Sequence, residues 1–380
     1  MIASLLTLTV APLGSRTSPL SIKTTGGQTS CLDIDWCRTL AEIITPALTA
    51  LVAAVYLTIH LNVPPPGRST IFQNTLRAAL ITFITLMFPE WTCVWAVRNY
   101  IIASRLLPKL EEARKRAMDK WYDNVVDERT HERTPRAFRS SNHSHFRRDE
   151  EYTMVHAFFV LMGGLHIYNG TGHPIGPLTA DDAVELIRCR LFLLPPLQKI
   201  EGLSKRSSLG KLSAFSGLLW FVIPCIVRFA QSLQMAAFEV TVLAHTSIAI
   251  ITLVPWWSKP MNVDCPEPVA IKVFPRSRRD TLSLSRHQSF DSRFSCYHIA
   301  YAYIFGRQDA LFDFGKIIYV PTFWSGDPDT IFMVPMSGTY APKAPRSAYV
   351  TGAASSLLVA VIFGLIHCIT WNYDLPSTIE

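Results

Sequence analysis

Apolar blocks long enough to cross a bilayer alternate along this chain with extended polar connections. Residues 43–61, "IITPALTALVAAVYLTIHL", run without a charge, and about 19 residues at 1.5 Å each nearly cross a ~30 Å hydrocarbon core. The run stops at "NVPPPG", where three prolines end a helix. A second block, 78–97, lies between Arg77 and Arg98, with Glu90 as its one charge. Blocks 213–233 and 237–257 are separated by a short connection, which predicts an antiparallel helical hairpin. The last block spans 348–371.

Shorter apolar stretches fill in the picture. "MVHAFFVLMGGLHIY" at 154–168 is too short for a full span and suits an interfacial or re-entrant segment. "DDAVELIRCRLFLLPPL" at 181–197 predicts a short helix lying beside the membrane. Residues 1–14 are apolar but lack the positive start and small-residue cleavage site of a secretory signal, leaving both readings open. The expected architecture is all-α: a polytopic helical membrane protein with about five transmembrane helices plus short interfacial helices. Its parts are an N-terminal segment (1–42), two spans (43–104), a basic loop (105–212), the hairpin (213–258), a second basic loop (259–347), the last span and a tail (372–380).

Composition agrees: 49% hydrophobic against 17% charged, with positive mean hydropathy, is the balance of a membrane protein. The net charge of +7 is concentrated between the blocks, which argues against a uniformly basic nucleic-acid binder. Twelve Lys and Arg fall in 105–153 and ten in 262–347, against one in 62–75. With five spans both basic loops share one side, the cytosol by the positive-inside rule. The sequons at Asn142 and Asn169 then read as chance matches. Eight scattered cysteines form no C-x-x-C pair, and a Cys31–Cys37 bridge would need a luminal N-terminus.

Candidate chemistry lies mainly inside the blocks. Glu90 sits about 10 Å within the second block, where a carboxylate is costly enough to mark a functional candidate by default. Pro89 beside it predicts a kink and a freed carbonyl. Its alternative is a packing carboxyl. Arg98, sharing a face with Trp91 and Trp95, reads as an interface anchor, and Lys259 beside Trp256 and Trp257 reads the same way. Arg228 and Glu239 lie near one end of the hairpin, open to a salt bridge or a substrate-facing pair. Pro224 lies between Trp220 and Arg228 at four-residue spacing, a second break candidate, and His245 aligns with Thr241 on a face expected to look inward. Ala348, Gly352, Ser356, Ala360 and Gly364 recur every four residues, a ridge that would let a core helix or a second copy approach closely. Thr281, Ser283, Ser285 and Ser289 lie among arginines, suited to attraction to anionic lipid or to phosphorylation that releases it. No metal-binding box, acyl-transfer motif or phosphate loop occurs, so no metal, cofactor or catalytic residue is expected.

The stretches "HLNVPPP", "PEWTCVWAVRNYIIASR", "YTMVHAFFVLMGGL", "LLWFVIPCIVRFAQSL", "WWSKPMNVDCP" and "VPTFWSG" together resemble a large family of uncharacterised multi-pass membrane proteins from filamentous fungi. The chain departs from the family's pattern at Pro224 and in "EGLSKRSSLGKLS". The resemblance implies no activity, though a signal-like start and a luminal stub are common in the family. The functional expectation is a non-catalytic membrane interaction or scaffold protein, with the lipid bilayer, anionic lipid at the basic loops and a homo-oligomer through the last helix as partners. The alternative is a small transporter or channel-like protein using Glu90, Arg228 and Glu239.

Overall fold

A computed structural model describes residues 38–64, 71–127, 150–205, 208–231, 233, 235–274, 320, 324 and 346–368. The chain divides into Met1–Leu40 and Ala41–Glu380. Of the first unit only residues 38–40 are described. The second is mostly helical, with a small sheet that the sequence reading lacked.

Its centre is α8, Ala237–Trp256. This helix is apolar on every side, and such a helix is stable only when surrounded. Helix α1 (Leu40–Thr58) turns a buried stripe, Ala47, Ala50 and Ala54, towards apolar side chains of α8 and of the helix before it. Helix α7 (Ser208–Ala230) packs antiparallel, with Leu218 beside Ala249 and Leu253 at one end and Cys225 beside Val240 and Val242 at the other. The hairpin forms as its spacing predicts. Helix α9, Arg346–Cys368, docks through Val359 and Phe363 against Cys93 and Ile248.

The block expected to be one span, 78–97, is two helices instead. Helix α2 (Ile71–Met87) and helix α3 (Pro89–Asp127) meet at Phe88 with a bend of 102°. Pro89 cannot donate to the Thr85 carbonyl and pushes the residue before it out of helical geometry. The break is complete because Pro89 takes the first position of a new helix, where its missing N–H costs nothing. Phe88 stacks on Trp91 at 4.6 Å across the corner.

Helix α3 then runs for 39 residues, about 58 Å. Its first half packs on α8 and α9 through Cys93 and Ala96. Its second half turns Leu106, Leu110, Ala113 and Ala117 inward and leaves Lys109, Lys115 and Arg116 outside. Against that half sits a compact subdomain made of α4 (Met154–Leu161), strands β1 (Leu165–Tyr168) and β2 (Pro174–Pro177), α5 (Ala180–Arg188), α6 (Leu197–Leu203) and β3 (Glu267–Ala270). The sheet order is β2-β1-β3, antiparallel then parallel, with Leu165 opposite Glu267 and Tyr168 opposite Ala270. Both outer strands carry proline, which an edge tolerates. The apolar stretch at 154–168 is thus α4 and β1, and Phe158, Phe159 and Leu161 are buried by protein, not by lipid. The segment at 181–197 likewise packs Ala183, Leu186 and Ile187 into this core.

Three helices are long and apolar enough to cross a membrane, Leu40–Thr58, Leu209–Ala230 and Ala237–Trp256, or four if the bent pair counts as one. Exposed Leu80, Phe83, Trp220, Ile223, Leu358 and Leu365 form a surface suited to hydrocarbon.

One turn has no spare room. A methyl group at Gly164 would stand 2.6 Å from the Phe159 ring and carbonyl. Gly164→Ala is expected to lower stability by about 1–3 kcal/mol, read as a fall in the thermal midpoint of the detergent-solubilised protein. Thr179→Ala, which removes the hydroxyl accepting Asp182 N–H at the start of α5, is expected to cost about 1 kcal/mol.

Candidate functional site

Polar groups gather at three levels of α8: its first turn, its middle and just beyond its end. At the first turn Glu239 is buried, and its carboxylate accepts the Ala236 N–H at 3.0 Å. A carboxylate there satisfies a free amide and meets the positive end of the helix dipole. Arg228 on α7 is half-buried.

In the middle lies the break. His245 Nδ1 is 2.9 Å from the Thr241 carbonyl and Nε2 is 2.9 Å from the Leu86 carbonyl at the end of α2. Its ring also meets Phe363 of α9 edge-on at 5.3 Å. The Leu86 oxygen is one of the acceptors that the broken helix no longer serves. Beside it Leu51, Val55, Thr58, Thr85, Pro89 and His245 line a cavity of about 10 Å³, room for roughly one water. Glu90 does not line it. It lies half-exposed in the first turn of α3, where a negative charge is favoured.

Beyond the end of α8 is the feature that sequence reasoning missed. Lys259 is 0% exposed, its ammonium 4.5 Å from the Trp95 ring centroid and 4.7 Å from that of Trp256, with Asn62 Oδ1 at 3.3 Å. The two indoles meet edge-on at 4.7 Å, and Trp95 Nε1 donates to the Trp324 carbonyl at 2.9 Å. His60, just past α1, lies against Trp256. From α7, Lys211 Nζ donates to the carbonyls of Trp257 and Lys259 at 2.8 and 2.9 Å. Burial holds the Lys259 amine well below its ordinary value of 10.5, and the Lys211 charge adds to the effect. Lys259 is therefore a buried amine in an aromatic cage, not a side chain reaching for headgroups. The signal was present in "HLN" and "WWSK", but nothing local says that two distant stretches meet.

Arg98 is also inside, at 7% exposure, because α3 continues well past it. Trp95 turns inward while Trp91 stays at the corner. On α7 the buried face is Leu218, Phe221 and Cys225, so Trp220 and Pro224 look outward within an unbroken helix. On α9, Ala360 and Gly364 are exposed, and the face that docks on α3 and α8 is the one carrying Val359 and Phe363. The side chains of Ala348, Gly352 and Ser356, together with Thr281, Ser283, Ser285, Ser289, Asn142, Cys31 and Cys37, lie outside those described.

A further polar cluster joins the subdomain to α3. Arg114 forks onto Glu111 at 2.8 and 2.6 Å, and Glu111 accepts the Tyr152 amide. Burial pushes the Tyr152 hydroxyl up to about 12, against the opposing pull of the Leu194 amide. His156, packed on Tyr152 at 5.1 Å, is held below its ordinary value by the same burial. Among the described residues no group of three or more His, Cys, Asp or Glu is placed to hold a metal.

Comparison with known proteins adds one result. The model of a family of unknown function, DUF8562, matches residues 25–289. The chain belongs to that family. The matched region contains the break, the caged lysine and the whole subdomain. No curated protein and no solved structure matches the chain.

The caged amine gives a pH dependence with a defined sign. Between its lowered native value and 10.5 the unfolded chain binds a proton that the native state does not, so stability rises with pH across that window and levels off above it. Thermal midpoints measured on the way up to pH 10.5 should show this rise in the native protein and a flatter profile in Lys259→Met.

Proposed function

We propose that this chain is a multi-pass fungal membrane protein that acts as a non-catalytic scaffold, holding a small subdomain rigidly at the cytosolic face. The observation that carries this reading is the size of the cavity at the break: room for about one water beside His245 is too little for a substrate or a hydrated ion. Several other polar groups within the helices are engaged by backbone. Glu239 caps its own helix, and Thr58, Ser247 and Thr252 donate to carbonyls within their own helices. A transport site would instead need Glu90, Arg228 and Glu239 to converge on a wet space.

The same geometry supports a topology. Strands β1 and β3 pair, so the two basic segments belong to one side of any membrane. The exits of α1 and α8 and the entry of α7 all attach there: Val63 N–H donates to the Met162 carbonyl, Met261 N–H to Ser204 Oγ, and Lys211 to the carbonyls after α8. Helix α3 runs towards that side as well. The pair α2–α3 therefore enters and leaves on one side as a re-entrant hairpin, and α1 begins on the external face. By the positive-inside rule the shared side is the cytosol.

Two measurements test this. Purified protein in liposomes should show no more proton or potassium flux than protein-free vesicles, and a protein-dependent flux lost in Glu90→Gln would establish the transport reading instead. On expression in a glycosylating cell, Asn142 and Asn169 should stay unmodified while an acceptor sequon placed ahead of α1 is modified. A glycan on Asn169 would reverse the topology.

A further inference from the structure

The contacts of His245 contain a contradiction that only one chemical species resolves. Both ring nitrogens face carbonyl oxygens at hydrogen-bonding distance, Thr241 at 2.9 Å and Leu86 at 2.9 Å. Carbonyls only accept, and a neutral imidazole has a single N–H. In either neutral tautomer one nitrogen would point its lone pair at an oxygen lone pair at contact distance. The imidazolium donates to both.

The setting favours such a cation. Leu86 stands in the last turn of α2, at the negative end of that helix's dipole. Its usual partner in a continuous helix, the Glu90 amide, has been carried away into α3 by the break at Phe88. The cavity of about 10 Å³ beside the ring, lined also by Thr58 and Thr85, has space for a water to carry the proton in or out. The charged and titratable groups brought by the packed elements are few. On α8 itself there is Glu239, engaged with Ala236 N–H. From α3 come Glu90 in its first turn and Cys93, from α7 Arg228, and from α9 His367, whose ring lies on Phe363 at 4.5 Å. The faces that α1 and α2 turn to the cavity carry none.

We propose that the break between α2 and α3 is a proton-binding latch: His245 holds a proton on each ring nitrogen and uses one of them to pin the end of α2. Losing the outer proton to water leaves Leu86 facing a lone pair, and the α2–α3 corner is released. This is independent of the scaffold reading, because a latch needs proton binding at one site and no flux across the membrane.

The test uses the full-length protein, labelled with nitrogen-15 at histidine, in lipid nanodiscs. The His245 signals are those absent from His245→Gln, or, where that variant does not fold, those showing contact with the Phe363 ring. At neutral pH both nitrogens should carry protons, and a bare ring nitrogen there overturns the proposal. In parallel, spin labels introduced as unnatural amino acids at exposed Leu76 on α2 and Arg105 on α3 report the corner. Their separation should change over the pH interval in which His245 loses its proton. A separation that stays constant while the proton leaves overturns the latch.

Discussion

The structure depends on a buried lysine side chain with no carboxylate among its described partners. Lys259 is held by the faces of Trp95 and Trp256 and by the Asn62 amide. Taking a lysine out of water is expensive, and cation–π contacts return part of that cost only when the rings are dry and fixed. The rings are fixed because each belongs to a different helix of the core, Trp95 to α3 and Trp256 to α8. The amide comes from the exit of α1, and Lys211 of α7 grips the carbonyl of Lys259 itself. Four helices are therefore referenced to one residue, three through its side chain and α7 through its carbonyl, at the level where the apolar bundle gives way to the subdomain. Truncating that side chain would loosen α1, α3 and α8 together.

This arrangement explains why a small sheet can hang from a set of lipid-suited helices without wobbling on a linker. The hydrophobic core is continuous through the junction: Trp95 and Trp256 belong to the same buried cluster as Phe158, Leu110 and Val269. Hydrogen bonds from Val63 to Met162 and between Ser204 and Met261 fasten the connecting segments directly to it. A packed junction of this kind fixes the subdomain against the helices.

Much of the helical layout was legible in the sequence because charge-free length is a direct physical requirement. The blocks that became α1, α7, α8 and α9 stood out for that reason, and α7 and α8 pair as their short connection demands. Pro89 was legible as a backbone fault, since a missing amide is a local fact. What followed from it was not. Whether a proline kinks one helix or starts another depends on what caps the freed ends, here His245, which lies more than 150 residues away and was legible as an inward-facing polar residue but not as a partner of this break. The stretch 154–168 misled for a related reason. An apolar run of 15 residues reads the same whether lipid or protein covers it, and its covers are α3 and α5, again outside its own neighbourhood. Lys259 looked like an interface anchor because aromatic and basic neighbours in sequence mark both anchors and cages. The distinction lies in whether a third element, Trp95, closes the other side.

The break also bears on an inference from counting. Five apolar blocks taken as five crossings put the start of α1 in the cytosol. On the topology proposed above, one block turns back on itself: the two basic segments stay together, as the β1–β3 pairing requires, and the start of α1 moves to the opposite face. Parity arguments are fragile in this way because a single proline changes their sign. The loop charges bear only on which side the subdomain occupies. Whether an apolar block with the length to cross does so depends on what meets a carbonyl freed at its middle, and here a side chain from a neighbouring helix, His245, reaches the Leu86 oxygen.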